Sequence, residues 1–336
     1  MAVLLVCATF PLIWVGGLVT TFKAGMAFPD WPTSGGYNML AYPLDEWWHG
    51  PFDMFIEHGH RLLAIVVGLV TIATALVFQF REQRRWVRWL AWGALVAVCL
   101  QGGIGGLRVV LDHRRVAMIH GCVGPAFFAF SVALAVVSSA RWRSSAGVAA
   151  SPAATRLRRL AVATAAIAYF QLVLGAVVRH VPEMAAVAEF QAAVLFHLIG
   201  AVALVAHAAF LLVTLVRHAE LSAGLRLGAW GLAAALTMQV LLGAATWVSK
   251  YGYPAGLESL SALHEQPFVA GGTWQAGLAT AHMATGSLIL AVSVMLAVRA
   301  GRLLRPSDAG TAAAKKAGAP SAAGNVLRQG LAEAAS

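Results

Sequence analysis

Long apolar stretches dominate this chain, and the polar residues gather in short clusters between them. Eight apolar runs stand out, at about 2–22, 58–80, 87–108, 116–140, 157–178, 188–216, 227–248 and 276–300. Each is close to the roughly 20 residues that one helix needs to cross a bilayer. The pattern predicts an all-α membrane protein with eight transmembrane helices linked as hairpins. The first run opens at Met1 without the basic head or small-residue cleavage site of a signal peptide, so it is read as the first span. A small-residue stretch at 144–155 (SSAGVAASPAAT) separates two halves of four spans each. The expected division is therefore a bundle at 1–140, a linker at 141–156, a bundle at 157–300 and an Ala/Gly/Ser-rich disordered tail at 301–336.

Composition sharpens this picture. Of 336 residues, 60% are apolar and only 11% charged, against about 25% charged in an ordinary soluble domain. A water-soluble globular enzyme, a disordered protein and a collagen-like fibre are excluded. The net charge of +10 would suit nucleic acid, but the basic residues are distributed otherwise. Arg81, Arg84, Arg85 and Arg88 follow span two, and Arg141, Arg143, Arg156, Arg158 and Arg159 follow span four. Arg217 and Arg226 flank the turn after span six, and Arg299, Arg302, Arg305, Lys315, Lys316 and Arg328 follow span eight. The opposite loops are longer and carry Asp30, Asp45, Glu46, Asp53, Glu183, Glu258 and Glu265. The positive-inside rule then places both termini in the cytoplasm. Cys7, Cys99 and Cys122 all fall inside apolar runs, so no loop disulfide framework is available.

A repeat runs through the odd spans. Span three carries Gln101 and Gly105, span five Gln171 and Gly175, span seven Gln239 and Gly243, and span one has Gly16 with Leu12 in place of the Gln. Every even span has a histidine near its outer end: His60, His120, His197 and His282. The unit is a hairpin of one Gly-bearing and one His-bearing helix, present four times. The glycines serve either close helix packing or the approach of a flat ligand to bare backbone.

Ionisable groups inside a bilayer are costly and usually mark function. Two histidines facing one another across a bundle make an axial pair for a haem iron. The halves then supply two sites, His60 with His120 and His197 with His282. Imidazoles without thiolates or carboxylates at that depth argue against structural zinc or calcium. His49, His113, His180 and His264 fall in or beside the outer loops, with solvated and propionate-contacting roles both open. His207 and His218 lack counterparts in the other half and read as structural.

The densest polar cluster is Glu57-His58-Gly59-His60-Arg61. Glu57 and His60 share a helix face. The carboxylate would either move protons or stabilise developing positive charge on a substrate, or simply favour a helix N-terminus. His58 points elsewhere on the wheel and reads as an interfacial polar residue. Arg61, Arg108 and Arg179 sit where haem propionates would emerge, a placement that interfacial snorkelling explains equally well.

Taken together, Gly16 through Thr20, Asp30-Trp31-Pro32, Glu57 through Arg61, Gln171 through His180, His197, Gln239 through Gly252 and Ala281-His282 resemble the haem A synthase family of cytochrome oxidase assembly. The resemblance covers all eight spans in order. It implies two pseudosymmetric four-helix bundles in a bacterial cytoplasmic (inner) membrane. His197 and His282 would ligate a haem b cofactor, and His60 and His120 would bracket the substrate, haem O. The implied reaction oxidises the C8 methyl of haem O to a formyl group through a hydroxymethyl stage, with Glu57 matching a catalytically important glutamate. Membrane lipid, a haem O synthase and an electron-transfer partner are the implied partners, with no nucleic acid; oligomeric state is left open. Some members carry cysteine pairs in the outer loops, and this chain has none there.

Two other readings compete. A dihaem b-type electron-transfer cytochrome would hold both haems permanently and leave Glu57 without a role. A repeat-built transporter would place polar groups near the midplane, whereas here they cluster at the outer edge.

Overall fold

The computed structural model describes residues 1–144, 151–218, 224–253, 256 and 271–304. Backbone polar groups have no water to bond in a bilayer, so apolar runs of this length satisfy themselves as helices. We number the eight long helices α1 (Ala2–Thr21), α2 (Phe52–Arg81), α3 (Arg85–Leu111), α4 (Arg114–Ser138), α5 (Pro152–Arg179), α6 (Val187–Arg217), α7 (Arg226–Tyr251) and α8 (Thr273–Leu303). All eight are long and apolar enough to cross a membrane. The chain is an all-α integral membrane protein.

Neighbour contacts close two rings. In the first, α1 packs on α2, α2 on α3, α3 on α4, and α4 returns to α1. The second repeats the order with α5, α6, α7 and α8. The rings meet where α4 lies against α8, α1 against α8 and α4 against α5. Exchanging the first four helices for the last four maps this seam onto itself, the signature of a pseudo-twofold axis. Small residues allow the close approach. Ala91, Ala94, Ala161, Ala229, Ala284 and Ala300 are buried, as are Ser131, Thr164, Thr280 and Ser287. Thr9 and Ser131 spend their hydroxyls within their own helices, on the carbonyls of Leu5 and Phe127, whereas Thr280 Oγ1 meets Thr21 Oγ1 across the seam at 3.2 Å.

The largest apolar clusters, around Leu5, Val87 and Leu134 in one ring and Leu157, Leu211, Leu232 and Leu296 in the other, fill the arginine-bearing half of each bundle. The other half carries the glycines, glutamines and histidines of the repeat, beside a smaller apolar cluster around Val19, Ala24 and Ile56.

Several helix boundaries differ from the sequence expectation. Helix α2 begins at Phe52, immediately after Pro51, so Glu57, His58 and His60 all lie within it. Helix α5 begins at Pro152 instead of 157, because Ser151 Oγ accepts the Ala154 N–H at 3.1 Å and proline takes the first helical position. A short helix, Ala140–Ser144, also extends the chain beyond α4, and α8 runs on to Leu303, inside the expected tail. Linker residues 145–150, tail residues 305–336 and the loop residues Glu258, His264 and Glu265 lie outside the described residues.

The segment from Phe22 to Pro51 folds back over the first ring as a cap. Two β-strands, Thr33–Ser34 and Tyr37–Asn38, pair through Gly35 and Gly36 at φ 59° and 81°, a left-handed turn that side chains disfavour. The helix Leu44–His49 completes the cap.

Candidate functional site

Four histidines stand at comparable depth. His60 follows the start of α2 by eight residues, and His120 follows that of α4 by six. His197 follows the start of α6 by ten, and His282 that of α8 by nine. At 1.5 Å per residue these positions lie about 9–15 Å along their helices. The rings of His60 and His120 have centroids 6.4 Å apart at 84°, and those of His197 and His282 are 6.3 Å apart at 77°.

Each ring rests on the glycine of its own hairpin, so these glycines serve close helix packing against an imidazole. A Cβ on Gly16 would stand 2.8 Å from His60 Cε1, and one on Gly105 2.8 Å from His120 Cε1. The matching distances at Gly175 with His197 and Gly243 with His282 are both 3.0 Å. Four residues before the glycine, a side chain or carbonyl reaches the same histidine helix. Gln101 Nε2 donates to the His120 carbonyl at 3.0 Å, and Gln171 Nε2 to that of His197 at 2.9 Å. Gln239 offers its carbonyl to His282 Nδ1 at 3.2 Å. The Oε1 atoms of Gln101, Gln171 and Gln239 are buried without a partner, as are Nδ1 of His60 and of His120.

This donor set fits haem. Paired imidazoles with ring centres 6.3–6.4 Å apart would hold a haem iron between them. At His282, Nδ1 faces the Gln239 carbonyl, while Nε2 lies 3.4 Å from Gln239 Nε2. The glycine cradle is the space that a side chain would fill.

Among the described residues, the first site carries a charged cluster above its histidines. Glu57 is 1% exposed and accepts the Phe28 N–H at 3.0 Å and Arg61 Nη2 at 2.9 Å. Arg108 Nη2 lies 3.9 Å from the same carboxylate, packed against Gly25 of the cap. Two guanidiniums thus face one buried carboxylate, leaving a local excess of positive charge. Arg61 also donates to the carbonyls of Phe28, Asp30 and Thr33. Its side chain therefore clamps the cap onto α2. His58, expected at the interface, is 2% exposed instead. The cap covers it: its Nδ1 is 3.2 Å from Ser34 Oγ, and Phe28, Tyr42 and Trp47 surround the ring. Asp30 pins the hairpin by accepting the N–H groups of Gly35 and Gly36 at 2.8 and 2.9 Å. Burial opposes its charge, yet bonds from the Thr33 side chain and from Gly36 and Gly35 prevail and hold the carboxyl at about 2.

Arg179 crosses between rings, donating to the Gly17 carbonyl at 3.0 Å and to Thr21 Oγ1 at 2.6 Å. Of the remaining histidines, His49 pairs with Asp45 at 2.9 Å, His180 Nδ1 is 2.8 Å from the Ala176 carbonyl, and His207 Nε2 is 3.2 Å from that of Leu160. His113 stands exposed at the start of α4. Cys7, Cys99 and Cys122 are free thiols. The cap's architecture was missed in the sequence, although Gly35-Gly36 between Ser34 and Tyr37 carries a hairpin signal.

Residues 1–258 match the model of the family described as Cytochrome oxidase assembly protein (COX15-CtaA). The chain belongs to this family. Within it, the chain is similar to proteins named Heme A synthase. That of Symbiobacterium thermophilum is 28% identical over 175 residues, covering 50% of this chain and 54% of the relative. That of Rhodopseudomonas palustris (strain HaA2) is 28% identical over 198 residues, covering 50% and 52%. That of Listeria monocytogenes serotype 4a is 27% identical over 135 residues, covering 39% and 41%. The chain thus spans about half the length of the first two relatives, and less of the third. The family match stops before α8, so the place of His282 in this cytochrome oxidase assembly fold rests on its 6.3 Å pairing with His197.

Proposed function

We propose that this protein is a haem A synthase, oxidising the C8 methyl of haem O to a formyl group by way of a hydroxymethyl stage. The observation that carries the reading is an asymmetry. Both rings hold a histidine pair at nearly one separation, but among the described residues the first alone places a buried carboxylate and two guanidiniums beneath a folded cap.

In this reading His60 and His120 hold the substrate between α2 and α4, and Gly16 and Gly105 leave room for the ligand rings. Arg108 supplies the charge for a propionate, with Arg61 fixing the cap beside it. Glu57, one helical turn outward from His60, stabilises positive charge developing at the oxidised carbon or takes up its proton. The cap and its Phe28, Trp31 and Tyr42 side chains exclude water from that side. His197 and His282 would hold haem b. That group, when bound, supplies electron transfer at the second pair. The arginine-bearing end faces the cytoplasm of a bacterial inner membrane, in keeping with the positive-inside rule. Haem O, lipid, a haem O synthase and an electron-transfer partner are the implied partners.

The near-equal pairs also suit a dihaem electron-transfer cytochrome. Extraction and chromatography of haems from cells expressing this chain beside a source of haem O separates the two. Formylated haem is expected; its absence, with two stoichiometric haem b groups, would favour the cytochrome.

A further inference from the structure

The cap carries an apolar face of its own. Its helix Leu44–His49 is amphipathic: at about 100° per residue, Trp47, Leu44 and Trp48 share one arc, and Asp45, His49 and Glu46 the other. Trp47 turns inward, donating Nε1 to the Phe55 carbonyl at 3.0 Å and stacking on the Phe55 ring at 5.5 Å. Leu44 and Trp48, one turn apart, turn out instead and stay 69% and 63% exposed.

Two relations place this face. Helix α1 has 20 residues, a rise of about 30 Å that matches the hydrocarbon thickness. The ring of Phe22, which ends α1, meets Phe52 edge-on with centroids 5.1 Å apart. Phe52 at the start of α2 therefore marks the hydrocarbon boundary, and the cap lies at headgroup level. Around α2, Val66 falls about 20° and Leu69 about 40° from Phe55, and both are exposed along the span. Phe55 thus crowns a lipid-facing stripe, whereas Glu57 lies about 160° away around the helix. The Trp48 ring stands edge-on to Phe55 with centroids 5.7 Å apart, so the cap helix overhangs the lipid side of α2.

We infer that the Leu44–Trp48 face is an interfacial anchor, seated among the headgroups and upper acyl chains of the leaflet on the histidine side. The bilayer itself then holds the cap down over the first ring. Leucine suits the acyl chains, and tryptophan suits a boundary that is apolar on one side and wet on the other. The polar arc of Asp45, Glu46 and His49 completes the pattern of a helix lying in the membrane surface. The inference is independent of what the histidine pairs hold.

The test uses the full-length protein in vesicles of phosphatidylcholine and phosphatidylglycerol. Leu44→Cys, Trp48→Cys and His49→Cys, each in a chain whose Cys7, Cys99 and Cys122 are replaced by alanine, carry a nitroxide label. Its collisions with oxygen, which concentrates in lipid, and with a nickel chelate, which stays in water, are read by power saturation. Oxygen is expected to prevail at the Leu44 and Trp48 positions and the chelate at that of His49. Chelate access at the first two equal to that at His49 overturns the proposal. Exclusion of both reagents from the first two also overturns it, because a protein partner or a second copy would then cover this face. The chain with its native cysteines supplies a second measurement, the quenching of tryptophan emission by lipid brominated near the headgroup. Trp48→Phe is expected to lower the quenched emission by the share of one tryptophan among eleven; unchanged quenching overturns the proposal as well.

Discussion

The imidazole of His60 lies directly on the backbone of Gly16, where an added Cβ would stand 2.8 Å from the ring. Such an atom cannot be accommodated unless the ring moves. Overpacking of this kind costs about 1–3 kcal/mol, and it turns His60 away from His120. Gly16→Ala is therefore expected to lose haem at the first pair while keeping it at His197 and His282. Absorbance of the purified variant, titrated with haem, reads both. Full occupancy of both sites would remove His60 from the ligand set.

Glu57 is held by the Phe28 N–H and by Arg61, so removing its charge has two separable consequences. Glu57→Gln keeps a carbonyl acceptor, and Arg61 retains its backbone partners; the stability loss is expected at about 1–3 kcal/mol. Conversion is expected to stop, with haem O or its hydroxymethyl derivative accumulating, although haem remains bound. Normal haem A output from a folded Glu57→Gln protein would leave the carboxylate a clamp for the cap and nothing more.

The hairpin repeat and the histidine pairing were legible because their determinants are periodic. Gly16, Gly105, Gly175 and Gly243 recur at one register, and that register meets His60, His120, His197 and His282 in space. What the sequence concealed is aperiodic. Nothing in the local spacing of His58 says that Ser34 and Tyr42 return to cover it. Likewise Arg61 was readable as an interfacial cation, yet its fate depends on carbonyls some thirty residues earlier. The start of α5 was missed for a simpler reason: the Ser151-Pro152 cap lies inside a small-residue stretch whose composition suggests a flexible linker.

Asp30 gives the cap a defined acid response. Its carboxyl is depressed from the ordinary 3.8 to about 2, so the folded cap favours the charged form. The stabilisation is complete above the unfolded value and drains away as pH falls from about 4 to about 2. Fluorescence of the cap tryptophans should report loosening in that window. Asp30→Asn should shift the transition toward neutral pH or abolish it, and an unchanged transition would assign it to another group.

His282 tests the division of labour between the rings. It lies beyond the family match, and its claim rests on a 6.3 Å pairing with His197 and on the carbonyl of Gln239 that orients its Nδ1. Replacing it by alanine removes one imidazole of the second pair and empties the space its ring fills against Gly243. It leaves His60, His120 and Glu57 without a changed contact. His282→Ala is therefore expected to lose the haem b absorbance while added haem still binds the first pair with at most a few-fold change in affinity. His120→Ala should give the mirror result, with haem b intact and substrate binding lost. If either variant empties both pairs while its helices remain folded by circular dichroism, the rings act as one haem site and the proposed split between cofactor and substrate fails.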